Sequence, residues 1–277
     1  MCGTCAQSVP AGVGSLTKAD GRWVTYHGHC VPVPRAPEAG DHDGWHRRPL
    51  AAFDVESTGV RHSIDRVVSA SVRDTAGNNM DFLIDPGVDI PVEATATHGI
   101  TTEHARDNGR APVEVLDAIA GTLAGYVRSG VPIVIYNAVY DLTLLSCELL
   151  RHGLAPLAER VNGHTLMIVD PLVLDRQVDR YRSGGRTLEA VCSFYGVTHP
   201  GPHRADADTQ ACLDLAIAIA ARHRDVAAMP SVELHACQID WYAERVNYMA
   251  ARNPDRVFDP SWPIARVTVE PWPQTQP

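Results

Sequence analysis

The sequence predicts an α/β protein, a mixed five-stranded sheet flanked by helices, with a small metal-binding module ahead of it. Three observations carry that prediction. Val131 to Tyr136 is an almost unbroken apolar run, the pattern of a buried central strand. Val67 to Val72 and Met80 to Ile84 read as strands joined by Asp74-Thr75-Ala76-Gly77-Asn78, whose residue types favour a tight turn. Beyond residue 112, helical and strand patterns alternate, which is how a sheet acquires covering helices.

Taken in order, residues 1–30 contain Cys2-x-x-Cys5 and His27-x-x-Cys30. Cys2, Cys5, His27 and Cys30 would close one tetrahedral structural Zn²⁺ site, with His29 left open as an alternative to His27. Too few apolar residues precede His27 to build a core, so metal would stand in for one. The remaining cysteines, Cys147, Cys192, Cys212 and Cys237, are dispersed in helical patterns and read as small core hydrophobes in a reducing compartment. Residues 31–48 mix Pro32, Pro34, Pro37 and Gly40 with charges and histidines, the composition of a linker.

The main domain, residues 49–225, opens with a strand over Ala51 to Glu56. A helix from Pro112 aligns Val115, Leu116, Ile119, Leu123 and Tyr126 and stops near Gly130. The strand Val131 to Tyr136 precedes a helix over Asp141 to His152, with Leu142, Leu145 and Leu149 in register and Gly153 as its stop. A strand over Leu166 to Val169 follows, and Cys212, Leu215 and Ile219 mark a further helix. Residues 226–253 carry a long amphipathic helix with His235, Ile239, Tyr242, Val246 and Met249 on one stripe, expected to pack on its own domain. Residues 254–277 form a proline-rich tail without regular structure, whose Trp262 and Trp272 could dock.

Within this frame, five residues concentrate the chemistry. Asp54 and Glu56 alternate with Phe53 and Val55, so both carboxylates leave the same face of the strand. Two carboxylates aimed at one point repel unless a cation lies between them, and hard oxygen ligands suit Mg²⁺ or Mn²⁺. Gly59 permits a sharp turn and close approach to a ligand. Asp141 closes the segment Asn137-Ala138-Val139-Tyr140-Asp141 at a helix start, and His203 and Asp208 converge from a loop and the helix after it. Paired acids with a histidine have the makeup of a two-metal site that cleaves phosphodiesters.

These three segments resemble the three motifs of the DEDDh 3′–5′ exonucleases, which include proofreading exonuclease subunits, RNase T and oligoribonuclease. Asp54 and Glu56 match the first motif, Asp141 the second, and His203, Ala205 and Asp208 the third. His98-Gly99-Ile100-Thr101, Asp170 and Thr187-Leu188 before Cys192 resemble secondary signposts. The resemblance runs from about Pro49 to His223 and implies an RNase H-like fold. Tyr140 stands where phenylalanine is common, and Asp206 replaces a usual apolar residue. The implied mechanism uses two cations, one held by Asp54, Glu56 and Asp208 and a second sharing Asp54, with Asp141 acting through water ligands. His203 takes the proton of the attacking water, and nucleoside 5′-monophosphates are released. Thr58, Gly59 and Asn137 are candidate substrate contacts.

A net charge of −9 argues against a broad basic surface for long duplexes, so phosphate contacts should be local. No run reaches the roughly 18 apolar residues of a membrane span, and no basic-then-apolar leader opens the chain, which predicts a cytoplasmic enzyme. The expected partner is single-stranded nucleic acid with a free 3′ end, DNA before RNA. The resemblance to proofreading subunits admits a polymerase partner, and the amphipathic helix admits a second copy. An RNA-trimming or oligoribonuclease-type enzyme is the alternative, followed by a catalytically silent binding module.

Overall fold

The computed structural model describes residues 1, 5–9, 14–19, 22–27, 36–201 and 203–268. The chain divides into two compact units, Met1–Arg35 and Ala36–Pro277. In the first, β1 (Gly14–Ala19) and β2 (Arg22–His27) pair antiparallel, with Gly14 opposite His27.

The second unit begins earlier than composition suggests. Residues 36–48 carry linker composition, yet they pack onto this unit. Trp45, in a 3-10 turn over Trp45–Arg47, is buried and donates its indole N–H to the Val226 carbonyl at 3.0 Å. The Gly40 N–H reaches the Ala221 carbonyl at 2.7 Å, and His42 Nε2 lies 3.0 Å from the Ala220 carbonyl. One large aromatic anchor outweighs the prolines and charges around it.

The sheet consists of β3 (Ala51–Ser57), β4 (Val67–Asp74), β5 (Asn79–Leu83), β6 (Ile133–Val134) and β7 (Ile168–Val169), in the order β5-β4-β3-β6-β7. β3, β4 and β5 pair antiparallel, whereas β6 and β7 run parallel to β3, so the expected mixed five-stranded sheet is present. β6 is shorter than the apolar run that predicts it. Neighbouring residues nevertheless keep extended pairing, since Ala51 N–H donates to the Pro132 carbonyl and Ile135 N–H to the Val169 carbonyl, each at 3.0 Å.

The helices are α1 (Val92–His98), α2 (Thr102–Asn108), α3 (Pro112–Arg128), α4 (Ala138–Arg151), α5 (Leu157–Arg160), α6 (Pro171–Val178), α7 (Leu188–Tyr195), α8 (Ala205–Arg222), α9 (Arg224–Ala227) and α10 (Ser231–Arg252). Phe53 and Val55 join Leu116, Ile119 and Leu123 of α3 and Leu142 and Leu145 of α4 in one core layer. Ala52 and Val134 join Leu174, Tyr195, Leu215 and Ile219 in the other. Strand alternation therefore puts Asp54 and Glu56 on the α8 side. α4 starts at Ala138 rather than Asp141, which places Asp141 inside the first turn.

α10 extends as expected, and its apolar stripe mostly faces the domain, with His235, Tyr242, Val246 and Met249 half-buried. Leu234 and Gln238 are its buried residues, while Ile239 is exposed. Trp262 docks into the first core layer, and Trp272 lies outside the described residues. Cys147, Cys192 and Cys212 are buried as expected, and Cys237 is half-buried. Burial pushes the Cys192 thiol up to about 12, which leaves it inert. Among the described residues, no helix is long and apolar enough to cross a membrane.

Candidate metal centre and active site

The site forms where β3 outruns its parallel neighbour. β6 pairs with β3 through Ala51 and Ala52, and the strand alignment stops there. The Val55 N–H lies beyond that pairing and donates instead to Asp141 Oδ1 at 3.1 Å. A buried donor must find an acceptor, and this one anchors the carboxylate of α4 against the backbone between Asp54 and Glu56.

Asp208 arrives from the first turn of α8. His203, on the loop before it, holds a left-handed backbone with φ 65°. That costly conformation for a side-chain-bearing residue accompanies a 3.1 Å hydrogen bond from the His203 N–H to Asp208 Oδ2. His199 Nε2 contacts the other oxygen, Asp208 Oδ1. His199 was not legible as a site residue, because a single histidine four positions before His203 carries no pattern of its own.

Asp54, Glu56 and Asp208 each offer one oxygen, and these atoms lie within 4.8 Å of one another. All five motif residues line a single cavity of about 460 Å³, together with Asn137, Tyr140 and Arg176 among others. The expected constellation is thus assembled from β3, α4, α8 and the loop before α8.

The electrostatics follow from this crowding. Burial, followed by repulsion from Asp141, Asp208 and Glu56, holds the Asp54 carboxyl well above the usual range. Burial and then Asp208 raise Glu56 to about 7. Asp141 is also raised, by burial first, although the Val55 N–H partly opposes this. Hard oxygen donors raised by burial and by one another's charge fit a divalent cation, whose charge would oppose each shift.

The three candidate substrate contacts separate. Asn137 lines the cavity in a left-handed conformation, φ 60° and ψ 48°. Thr58 and Gly59 do not line it; they build the loop beside it. Thr58 Oγ1 accepts the Arg66 N–H at 2.9 Å, and a Cβ at Gly59 would meet Asp65 Oδ2 at 2.7 Å. The Tyr140 hydroxyl donates to the Gly59 carbonyl at 2.5 Å, giving the extra oxygen of this tyrosine a defined partner. Asp206 pairs with Arg204, with Nη2 to Oδ2 at 2.8 Å.

In the N-terminal unit, Cys5 Sγ lies 3.4 Å from His27 Nδ1, and His27 Nε2 lies 3.1 Å from the Ser8 carbonyl. Cys2, Cys30 and His29 fall outside the described residues.

Comparisons with known proteins converge on the same assignment. An exonuclease family model, that of RNase T, matches residues 51–216. The DNA polymerase III subunit epsilon of Buchnera aphidicola is 26% identical over 176 residues, covering 59% of this chain and 69% of that protein. The same-named subunit of Treponema pallidum is 27% identical, covering 63% of this chain and 77% of that one. The crystal structure of E. coli exonuclease I in complex with a dT13 oligonucleotide superposes with a TM-score of 0.56 at 22% identity. That alignment covers 65% of this chain but 42% of the exonuclease I chain, so it speaks for the shared fold. With the family match spanning the sheet, all three acidic motifs and the histidine, the chain belongs to the exonuclease family and to its DEDDh 3′–5′ branch.

Proposed function

We propose that this chain is a divalent-cation-dependent 3′–5′ exonuclease that removes nucleoside 5′-monophosphates from single-stranded DNA ends. The observation that carries the reading is the convergence of Asp54, Glu56 and Asp208 within 4.8 Å, with His203 and Asp141 on the same cavity. Asp54, Glu56 and Asp208 would hold Mg²⁺ or Mn²⁺, with Asp54 shared by a second ion and Asp141 reaching it through water. When bound, such cations supply charge neutralisation at the phosphate and acidify water.

The chain's own residues supply the remainder. His203, exposed at the cavity and tied by its backbone to Asp208, accepts the proton of the attacking water. Asn137 and Arg176, which line the same cavity, would contact the terminal nucleotide. The acidic chain favours short local contacts over long duplex, and exonuclease I, whose fold is shared, was crystallised with a single-stranded oligonucleotide. By analogy with the epsilon subunits, a replicative polymerase is a candidate partner.

The test is digestion of end-labelled DNA and RNA of matched sequence, single- and double-stranded, with Mg²⁺ or Mn²⁺. Stepwise shortening of single-stranded DNA from its 3′ end, abolished by EDTA, is expected. Preference for RNA would transfer the reading to an exoribonuclease, and no hydrolysis of either would leave a binding module.

We further propose that the N-terminal unit holds a structural Zn²⁺ through Cys2, Cys5, His27 and Cys30. Tetrahedral bond lengths put sulfur and nitrogen ligands about 3.5 Å apart, close to the Cys5–His27 separation of 3.4 Å. His27 also presents its second nitrogen to a carbonyl, as zinc-bound histidines do. Elemental analysis of protein purified without chelator should find one zinc per chain; its absence would remove this site.

A further inference from the structure

The residues after position 216 lie beyond the family match, yet they contact the catalytic framework at its weakest edge. Among the described residues β7 is the last strand of the sheet, and its outer backbone groups have no strand to pair with. α10 satisfies them with side chains. The Ile168 N–H donates to His235 Nδ1 at 3.1 Å, and the Ile168 carbonyl accepts from Gln238 Nε2 at 2.8 Å. The next group on the same outer edge, the Asp170 N–H, donates to Gln238 Oε1 at 2.7 Å. A buried amide in the middle of a helix face thereby does the work of a sixth strand.

Asp170 itself is 1% exposed and carries no ion pair among the described residues. Its carboxylate collects backbone donors instead. Oδ1 accepts from Asn137 at 3.0 Å and from Leu172 at 2.9 Å; Oδ2 accepts from Ala138 at 2.9 Å and faces the Trp262 indole nitrogen at 3.5 Å. The Asn137 and Ala138 amides form the entry to α4, where a left-handed residue requires an external hold. Three residues on, the helix presents Asp141. The segment after α10 closes over this arrangement. Trp262 stacks near His235, with ring centroids 5.1 Å apart, and the Ala265 N–H donates to Thr143 Oγ1 of α4 at 2.8 Å.

We propose that residues 231–268 act as a brace for the active site, with Gln238 and Trp262 as positioning residues that fix Asp141 through Asp170 and the Asn137–Ala138 turn. The brace rests on the exonuclease reading for its kinetic consequences, but its mechanical part can be read without turnover. Misplacing a catalytic carboxylate by a fraction of an ångström to one ångström costs on the order of 10–100-fold in rate.

The experiment compares full-length Gln238→Leu and Trp262→Phe with wild type, well below their melting temperatures. Each should lower kcat roughly tenfold or more, leave KM for a short oligonucleotide within about twofold, and raise the Mg²⁺ concentration for half-maximal rate. Amide exchange at Asn137 and Ala138 should accelerate in both. In an Asp141→Asn background the further loss should vanish, since the brace acts through that residue. A role confined to stability would lower the melting temperature while leaving kcat and the Mg²⁺ requirement unchanged, and that result overturns the proposal. So does an equal further loss in the Asp141→Asn background. If wild type hydrolyses nothing, the exonuclease reading fails. Amide exchange and Mn²⁺ affinity then decide the brace, with unchanged values in both variants refuting it. Trp262→Phe retains a ring in the pocket and keeps the test interpretable where Gln238→Leu unfolds.

Discussion

Asp141 accepts the backbone N–H of Val55 at 3.1 Å, so the carboxylate of the second motif is pinned to the backbone between the two acidic residues of the first. The bond fixes Asp141 in place while leaving it to repel its neighbours, and after burial Asp141 is the largest cause that raises the Asp54 carboxyl. Asp54→Asn should therefore separate function from stability. Turnover should fall by at least about 10³ because the ligand proposed to be shared by both cations is lost. The cation-free protein should melt on the order of 2–4 °C higher once the repulsion is gone. Calorimetry with EDTA and single-turnover assays with Mg²⁺ check the two halves, and a variant that cuts normally refutes the site.

The raised carboxyls also set a pH dependence. A carboxyl whose folded-state pKa exceeds its unfolded value binds a proton the unfolded chain releases, so it stabilises below the ordinary range and that contribution is lost as pH rises. For Glu56, raised by burial and Asp208, the loss spans from its usual 4.5 up to about 7. Histidines lowered by desolvation slope the opposite way. The contribution of Glu56 is therefore read as the difference between wild type and Glu56→Gln. Without cation that difference should favour wild type more at pH 5 than at pH 8, and Mg²⁺ should restore wild-type stability selectively at the higher pH. Apparent cation affinity should climb across the same window, because each binding event must release protons. A Mg²⁺ affinity that is flat between pH 5.5 and 8, measured by calorimetric titration, would contradict the raised carboxyls.

Arg176 lines the cavity and has no hydrogen-bond or ion-pair partner among the described residues, whereas Arg186 is engaged with Asp175 at 2.5 Å. An unpaired guanidinium beside an acidic site is suited to a substrate phosphate. Arg176→Ala should raise KM roughly tenfold, in line with loss of a charge-assisted hydrogen bond. It should change kcat little and make binding less sensitive to salt. An unaltered KM would assign Arg176 to electrostatic balance of the site instead.

The two histidines at the third motif should differ in kind. His203→Ala should lower the rate by about 10²–10⁴, as for a lost general base, with cation binding largely kept. His199→Ala removes the side chain that contacts Asp208 Oδ1, so it should act first on the Mg²⁺ requirement. Titrating both variants with Mn²⁺ distinguishes them: if His203→Ala binds cation poorly and His199→Ala normally, the roles are reversed.

The motif acids were legible because their arrangement is local. Asp54 and Glu56 obey the two-residue period of a strand, and Asp208 sits within five residues of His203. What escaped was set by partners distant in sequence. The start of α4 was read at Asp141 rather than Ala138 because Asn137 offers no side-chain cap; the hold comes from Asp170, 33 positions later. Gln238 of α10 escapes for a similar reason. Hydrophobic periodicity cannot nominate Gln238 as buried, since only an unpaired sheet edge creates the need for an amide there. Arg176 likewise gains meaning only from what fails to pair with it.

The chain divides into compact units at Arg35. Removing residues 1–35 should eliminate bound zinc and leave a folded protein that still hydrolyses short oligonucleotides, because every motif residue and all five strands of the larger sheet lie beyond that point. Removing residues 1–48 should behave differently. It discards Trp45, whose ring is 3% exposed and whose indole is bonded to Val226, along with the Gly40 and His42 contacts to α8. Loss of a buried tryptophan alone costs about 3–5 kcal/mol, a large share of the stability of an ordinary domain. Denaturant titration of the two truncations, with Trp45→Ala in the full chain as a third case, measures the difference. Equal stability for both truncations would restore residues 36–48 to the linker their composition suggests. Failure of the shorter truncation to cleave a dinucleotide while remaining folded would draw the N-terminal unit into the catalytic machinery.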